Sequence, residues 1–157
     1  MKNLPELSID LIKVAEKSDG VLSELSKEEL EQILERYKKF LYLAKKYPQV
    51  PLTPTYDIDE MWHLHMLHPQ QYYNDCFKLF GQIMGHETSG TKEQLANYSD
   101  QTEKIWKEEF GEEYRTELSE RLRKKAGKGD TCYNKVPDTC YKFFATCYKK
   151  LIETPTI

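Results

Sequence analysis

The feature that most limits the possible folds of this chain is the helical periodicity of its apolar residues. Between residues 26 and 48, apolar side chains recur at intervals of three and four, the spacing of one helical face. They are Leu30, Ile33, Leu34, Tyr37, Leu41 and Ala44. Ser26 with Glu29 predicts a capping box, and Pro48 predicts the helix end. Later segments repeat this spacing without strand alternation, so we predict an all-α fold, a single bundle of about five or six helices.

Prolines and glycines divide the rest of the bundle into segments. The stretch "YPQVPLTPT", residues 47–55, predicts an extended connector because each proline biases the preceding residue away from helix. Asp57 or Asp59 is expected to cap the next helix. Pro69 ends that helix and can begin another, which we expect to close at Gly85.

A basic, glycine-containing segment marks the predicted domain boundary. "KKAGKGD", residues 124–130, holds no large apolar residue and is typical of a linker. We therefore predict a helical His-motif domain at residues 1–126, and a linker with a C-terminal Cys/Tyr-repeat tail at residues 127–157. In the tail the triplet Thr-Cys-Tyr occurs at residues 131–133, 139–141 and 146–148.

Three interpretations of the repeated tail stay open. It can pack on the bundle as a last amphipathic helix, since cysteine is among the most buried residue types. Its cysteines can form a thiolate site for a soft metal such as Cu(I) or zinc. It can also be a tethered substrate whose Cys and Tyr side chains are modified by the domain. The residues concerned are Cys132, Cys140, Cys147, Tyr133, Tyr141 and Tyr148.

Composition excludes several functional classes. The formal net charge is −3 with many charges of both signs, so we expect no nucleic-acid partner and no binding to anionic membranes. The N-terminus lacks the apolar stretch of a secretory signal, which predicts a cytoplasmic protein with reduced cysteines. No CxxC pair supports a zinc finger, and no Gly-rich phosphate loop is present.

Three of the four histidines lie in "DEMWHLHMLHP", residues 59–69. On a helix Asp59 and His63, four apart, share one face, whereas His65 and His68, three apart, share another. The first pair can be half of a metal site or a carboxylate that orients a buried imidazole. For the second pair an exposed helical face is the favoured interpretation.

A metal site on Asp59 and His63 needs further ligands. His86 is the first choice, although a chain that turned at Pro69 would have to bend again near Gly85 to bring it back. Cys76 lies nearer the turn, but its place in an apolar stripe favours a small buried hydrophobe.

The segment "YDIDEMWHLHMLHPQQYYNDCFKLFGQIMGHE", residues 56–87, resembles the glycine-rich domain-containing protein-like family. The resemblance covers residues 28–114. It implies a small helical domain with no established biochemical activity, and it favours His63, His65 and His86 as a functional cluster.

These observations lead to three functional hypotheses. The first is a small helical domain that binds a transition metal through His63 and His86, with His65, Asp59 and Cys76 as lesser candidates. Imidazole ligands suit zinc, copper and iron alike. The second is a metal-dependent oxidase or peptide-modifying protein that acts on Cys or Tyr, including its own tail. The third is a metal-free structural module that binds a protein or peptide partner.

Overall fold

Six α-helices make up most of the computed structural model, which describes residues 2–87, 91–126 and 140–141. The α-helices are α1 Leu11–Glu16, α2 Lys27–Lys46, α3 Tyr56–Met66, α4 Pro69–Phe80, α5 Lys92–Phe110 and α6 Glu117–Ala126, with a 3-10 helix at Val21–Glu24. Strands β1 His86–Glu87 and β2 Cys140–Tyr141 form a short antiparallel pair. The predicted helical bundle is confirmed. Among the described helices, none has the length and apolar character needed to cross a membrane.

Helix α2 follows its sequence pattern. The Ser26 hydroxyl accepts a hydrogen bond from the Glu29 backbone N–H at 3.2 Å, and the Glu29 carboxylate accepts one from the Ser26 N–H at 3.1 Å. The predicted capping box is therefore confirmed. Apolar residues of the predicted face, Leu30 and Ile33 among them, are fully buried. Because caps and periodicity are local properties, this helix could be predicted without its neighbours.

Helix α3 lies in the centre of the bundle and packs against α1, α2, α4 and α6. Its buried residues are Tyr56, Asp57, Ile58, Asp59, Met61, Trp62 and His65. Trp62 is fully buried, and its indole N–H donates a hydrogen bond to the Tyr72 hydroxyl at 2.9 Å. A helix enclosed on several sides must satisfy its polar side chains with partners from other elements.

The first turn of α3 is held by a buried ion pair that the sequence analysis missed. Arg36 Nε donates to Asp57 Oδ2 at 2.7 Å, and Arg36 Nη2 donates to Thr55 Oγ1 at 2.9 Å and to the Tyr114 carbonyl at 2.8 Å. The expectation that Asp57 or Asp59 caps α3 is wrong, since the N-cap is Thr55. Both carboxylates lie within the first turn of the helix and face interior partners instead.

Helix α4 ends earlier than predicted. Gly81, not Gly85, closes it, with a left-handed φ of 68° and its N–H bonded to the Phe77 carbonyl at 2.9 Å. Glycine adopts this conformation without the steric cost that other residues would incur. The Tyr72 hydroxyl donates to the Met84 carbonyl, which fastens the segment after Gly81 to α4. The chain is thereby turned back toward α3, and His86 follows two residues later.

Part of the predicted tail lies outside the described residues. Cys132, Tyr133, Cys147 and Tyr148 belong to this part, together with the linker from residue 127. The division between residues 126 and 127 and the role of the tail therefore stay predictions.

Candidate metal centre

Three side chains, two from α3 and one from β1, lie close together. Asp59 and His63 come from consecutive turns of the helix, and His86 comes from β1. The Nε2 atoms of His63 and His86 are 2.7 Å apart, Asp59 Oδ1 is 3.2 Å from His86 Nε2, and Asp59 Oδ1 is 3.4 Å from His63 Nε2. In the part of the chain that the structure describes, this is the one group of His, Cys, Asp and Glu residues arranged to hold a metal ion.

The three distances are close to those of ligands on a shared ion. Ligand atoms about 2.0–2.2 Å from one metal lie about 2.8–3.6 Å from each other, with the shorter distances in octahedral and the longer in tetrahedral geometry. Both distances to Asp59 Oδ1 fall in this range, and the two Nε2 atoms would have to separate slightly. At 2.7 Å one of these nitrogens must donate a proton and the other accept it. A metal ion can take the place of that proton.

Burial sets the protonation of the three groups. It raises the pKa of the fully buried Asp59 carboxyl to about 7, although the nearby His63 works in the opposite direction. It lowers the pKa of His63, with Asp59 opposing, and it lowers the pKa of His86 to about 4. Both imidazoles are consequently neutral at pH 7, which is the form that binds metals.

One atom of the cluster is left without a hydrogen bond. Asp59 Oδ2 is buried and has no hydrogen-bond partner among the described residues. Buried polar atoms are usually paired, because leaving one unpaired costs free energy. A bound cation would compensate this carboxylate directly.

Glu60 adds a second carboxyl group beside the cluster. Its Oε1 lies 3.9 Å from His63 Nδ1, the ring nitrogen that points away from His86. Burial, reinforced by the Asp59 charge, raises the pKa of Glu60 to about 7. Glu60 is not among the site residues predicted from the sequence, although its position three residues before His63 is a spacing that brings helical side chains together. At 3.9 Å the two groups are close enough to interact electrostatically but too far apart for a hydrogen bond.

His65 belongs to a separate network. It is 1% exposed, so the expectation of an exposed face for this residue is wrong. The Tyr37 hydroxyl donates to His65 Nδ1 at 2.8 Å, and His65 Nε2–H donates to Asp75 Oδ2 at 2.9 Å. The Ser8 backbone N–H donates to the same carboxylate at 3.1 Å. Because both ring nitrogens have partners, no lone pair of His65 is available to an ion.

Cys76 and His68 also lie outside the cluster. Cys76 is 2% exposed, and burial raises the pKa of its thiol, as suits a small buried hydrophobe. His68 is the N-cap residue of α4, and its Nδ1–H donates to the Leu64 carbonyl at 2.8 Å.

The backbone of Cys140 and Tyr141, from the second Thr-Cys-Tyr unit, lies beside the strand that carries His86. In the β1–β2 pair, Tyr141 is opposite His86 and Cys140 is opposite Glu87. Strand β1 therefore supplies the potential ligand His86 and also pairs with β2, which belongs to the tail.

Comparison with known proteins gives a family match for slightly less than half of the chain. Residues 2–75 match the model of the family described as glycine-rich domain-containing protein-like. Glycine-rich domain-containing protein 1 of Arabidopsis thaliana is 38% identical over 93 residues, which cover 54% of this chain and 11% of that protein. Glycine-rich domain-containing protein 2 of the same plant is 36% identical over 93 residues, which cover 54% of this chain and 12% of that protein. No solved structure matches.

The chain thus spans only about a tenth of the length of these curated relatives. The family match includes Asp59 and His63 and ends before His86. The family resemblance predicted from the His motif is confirmed.

Proposed function

We propose that this glycine-rich domain-containing protein-like domain binds one transition-metal ion through Asp59, His63 and His86. The observation that carries the proposal is the convergence of three donor atoms, from a helix and a distant strand, within 3.4 Å of one another. Two observations support it. Asp59 Oδ2 has no hydrogen-bond partner within the described part of the chain, so a cation would stabilise it. Both imidazoles are neutral, which is the form that binds a metal.

The donor set narrows the choice of metal. Two imidazoles with one carboxylate are a ligand set of catalytic zinc sites and of non-haem iron(II) sites. Copper(I) prefers softer sulfur ligands, whereas Asp59, His63 and His86 offer only oxygen and nitrogen. We therefore propose Zn²⁺ or Fe²⁺ as the resident ion. Three protein ligands would leave a coordination position open for water or another molecule.

Metal analysis of the full chain, purified without a histidine tag, tests the proposal. The wild-type protein should bind one equivalent of Zn²⁺ or Fe²⁺, and His63→Gln should lose it. His68→Gln is the matched control, because His68 lies on the same segment but outside the cluster. The proposal is wrong if wild-type protein binds no stoichiometric metal, or if His63→Gln binds as well as His68→Gln.

A second candidate function is oxidation of the tail at the same centre. It is favoured by the pairing of Cys140–Tyr141 with His86–Glu87, which brings a Thr-Cys-Tyr unit beside a proposed ligand. Tethering would raise the effective concentration of the tail. In this reaction two cysteine thiols would lose two electrons and two protons to form a disulfide. Dioxygen would accept both as hydrogen peroxide, and the metal would have to be redox-active, as iron is.

Intact-mass measurement distinguishes this second function from simple metal binding. Iron-loaded wild-type protein exposed to air should lose the mass of two hydrogen atoms, whereas His63→Gln should not. A mass equal to that of the sequence, with every thiol still titratable, would rule out the reaction while leaving the metal site intact.

A further inference from the structure

A cavity of about 620 Å³ adjoins the proposed metal centre. Its walls come from α1, from the loop that follows α1, from the 3-10 helix and from the second half of α3. Val14, Leu22 and Leu64 supply apolar surface, and Glu60 and His63 supply polar surface at one end. This volume lies within the range of small-molecule sites, which are mostly apolar with a few polar groups that orient the ligand.

The cavity meets the centre at its most accessible ligand. The side chains of Asp59 and His86 are 0% and 11% exposed, whereas that of His63 is 26% exposed. His63 is also the one member of the cluster that lines the cavity. A molecule that approaches the ion would therefore pass His63 and Glu60 with its remaining atoms against the apolar walls.

The charged residues of the cavity do not select a charged body. Apart from Glu60 at the polar end, the charged lining residues are Lys17 and Asp19, which carry opposite charges. The cavity differs instead between its parts: its walls are apolar, and donor groups lie at the end near His63.

From these features we infer that the cavity binds a small molecule with an apolar body and one metal-coordinating head group. The body fills the space against Val14, Leu22 and Leu64, and the head occupies the open position of the ion held by His63. This inference rests on the proposed metal site and adds the class of ligand that the site accepts.

Gly20 offers a way to fill the cavity without altering a ligand. Its φ of −89° is open to any residue, and a Cβ added there would meet only Glu60 Oε2, at 4.0 Å. Gly20→Phe should therefore fold normally and place its ring in the cavity. Glu16→Phe is the matched control, because Glu16 is exposed on α1 and does not line the cavity.

Alkyl hydroxamates of increasing chain length, from acetohydroxamate to octanohydroxamate, test the inference on the zinc-loaded full chain. In wild type and Glu16→Phe, affinity should rise roughly three- to fourfold with each methylene that becomes buried. In Gly20→Phe the affinity should stay near that of acetohydroxamate at all lengths. Zinc affinity, measured beforehand without hydroxamate, should be the same in all three proteins.

The possible failures are separable. Zinc binding with no dependence on chain length in wild type would overturn the ligand inference and leave the metal site standing. A full dependence retained in Gly20→Phe would also overturn it, because the body would then lie elsewhere. If wild type binds neither Zn²⁺ nor Fe²⁺ in the first titrations, the proposed function is wrong and the inference falls with it.

Discussion

Helix α3 carries two histidines, two residues apart, in opposite chemical situations. His65 is 1% exposed, and both of its ring nitrogens have partners, Tyr37 on one side and Asp75 on the other. His63 is partly exposed, and its Nε2 is hydrogen-bonded to His86 Nε2. Beside this pair, the buried Asp59 Oδ2 has no hydrogen-bond partner among the described residues. The ring nitrogens of His65 are paired without a ligand, whereas the Asp59 oxygen beside His63 would gain a partner from a bound cation.

The difference shows how structural and functional histidines can be separated. Burial lowers the pKa of both residues, so the pKa direction alone does not distinguish them. What distinguishes them is the pairing of the polar atoms. The His65 network stabilises contacts between α2, α3 and α4. In the His63 cluster, by contrast, Asp59 Oδ2 has no hydrogen-bond partner among the described residues, and His63 lies at the edge of a cavity.

The largest expected effect is a difference in metal affinity between a substitution in the His63 cluster and one in the His65 network. His86→Gln should weaken zinc binding by on the order of 100-fold or more, because even loss of a group supporting a ligand can cost 10- to 100-fold. Tyr37→Phe, which alters only the His65 network, should leave zinc affinity within about threefold of wild type, well below that range. Isothermal titration of the metal-free proteins measures both. Equal losses in the two variants would contradict the separation.

A substitution in the His65 network should cost more stability than one in the His63 cluster, the reverse of their effects on metal affinity. His65→Ala should lower the free energy of unfolding of the metal-free protein by about 2–4 kcal/mol, since it removes buried packing and leaves Tyr37 and Asp75 without their partner. His63→Ala, at a partly exposed site beside a cavity, should cost less than about 1 kcal/mol. Urea denaturation monitored by circular dichroism measures the difference. A larger loss for His63→Ala would reverse our assignment of the two roles.

Asp59→Asn should stabilise the metal-free protein while it abolishes metal binding. The pKa of Asp59 is raised from 3.8 to about 7 in the folded state, so the folded protein retains a proton that the unfolded chain releases. Stability from this group therefore falls as pH rises from about 4 to about 7, and the full penalty remains at higher pH. Asparagine has no such penalty, so we expect a gain of roughly 1–2 kcal/mol at pH 8 and a smaller one at pH 5.

Urea denaturation of wild type and Asp59→Asn at pH 5, 7 and 8 tests this expectation. A gain independent of pH would mean that the buried charge is not its source. A loss of stability at pH 8 would mean that the carboxylate is well stabilised without metal.

The smallest expected effect refines the description of the His65 network. Tyr37→Phe should lower the free energy of unfolding by about 1 kcal/mol, because His65 Nδ1 loses its donor while the ring stays packed. The midpoint of thermal unfolding of the metal-free protein would report it. A change as large as that of His65→Ala would show that Tyr37 supports the fold through other contacts.

Local features of the chain could be predicted well. The capping box at Ser26, the start of α4 at Pro69 and the shared face of Asp59 and His63 all depend on residues within about one helical turn. The predicted burial of Cys76 also agrees with the structure, because an apolar stripe on a helix indicates its inward face.

Predictions that depended on distant partners were less successful. The end of α4 was placed at Gly85, although both Gly81 and Gly85 are suitable helix terminators and the return of the chain through Tyr72 and Met84 favours the first. The partner of Asp57 was missed because Arg36 lies 21 residues earlier in the chain. His65 was placed on an exposed face because periodicity defines faces of a helix but not which of them a neighbour will cover.

By itself, the sequence determined the helical fold class and half of the candidate centre, because helical spacing and end signals act over a few residues. Only the tertiary structure decided that His86 completes this half and that His65 does not. That choice depends on how α4 and β1 return to α3, and on Tyr37 and Asp75 reaching the same imidazole. Contacts between elements far apart in the chain arise from packing of the whole bundle, which no short segment encodes.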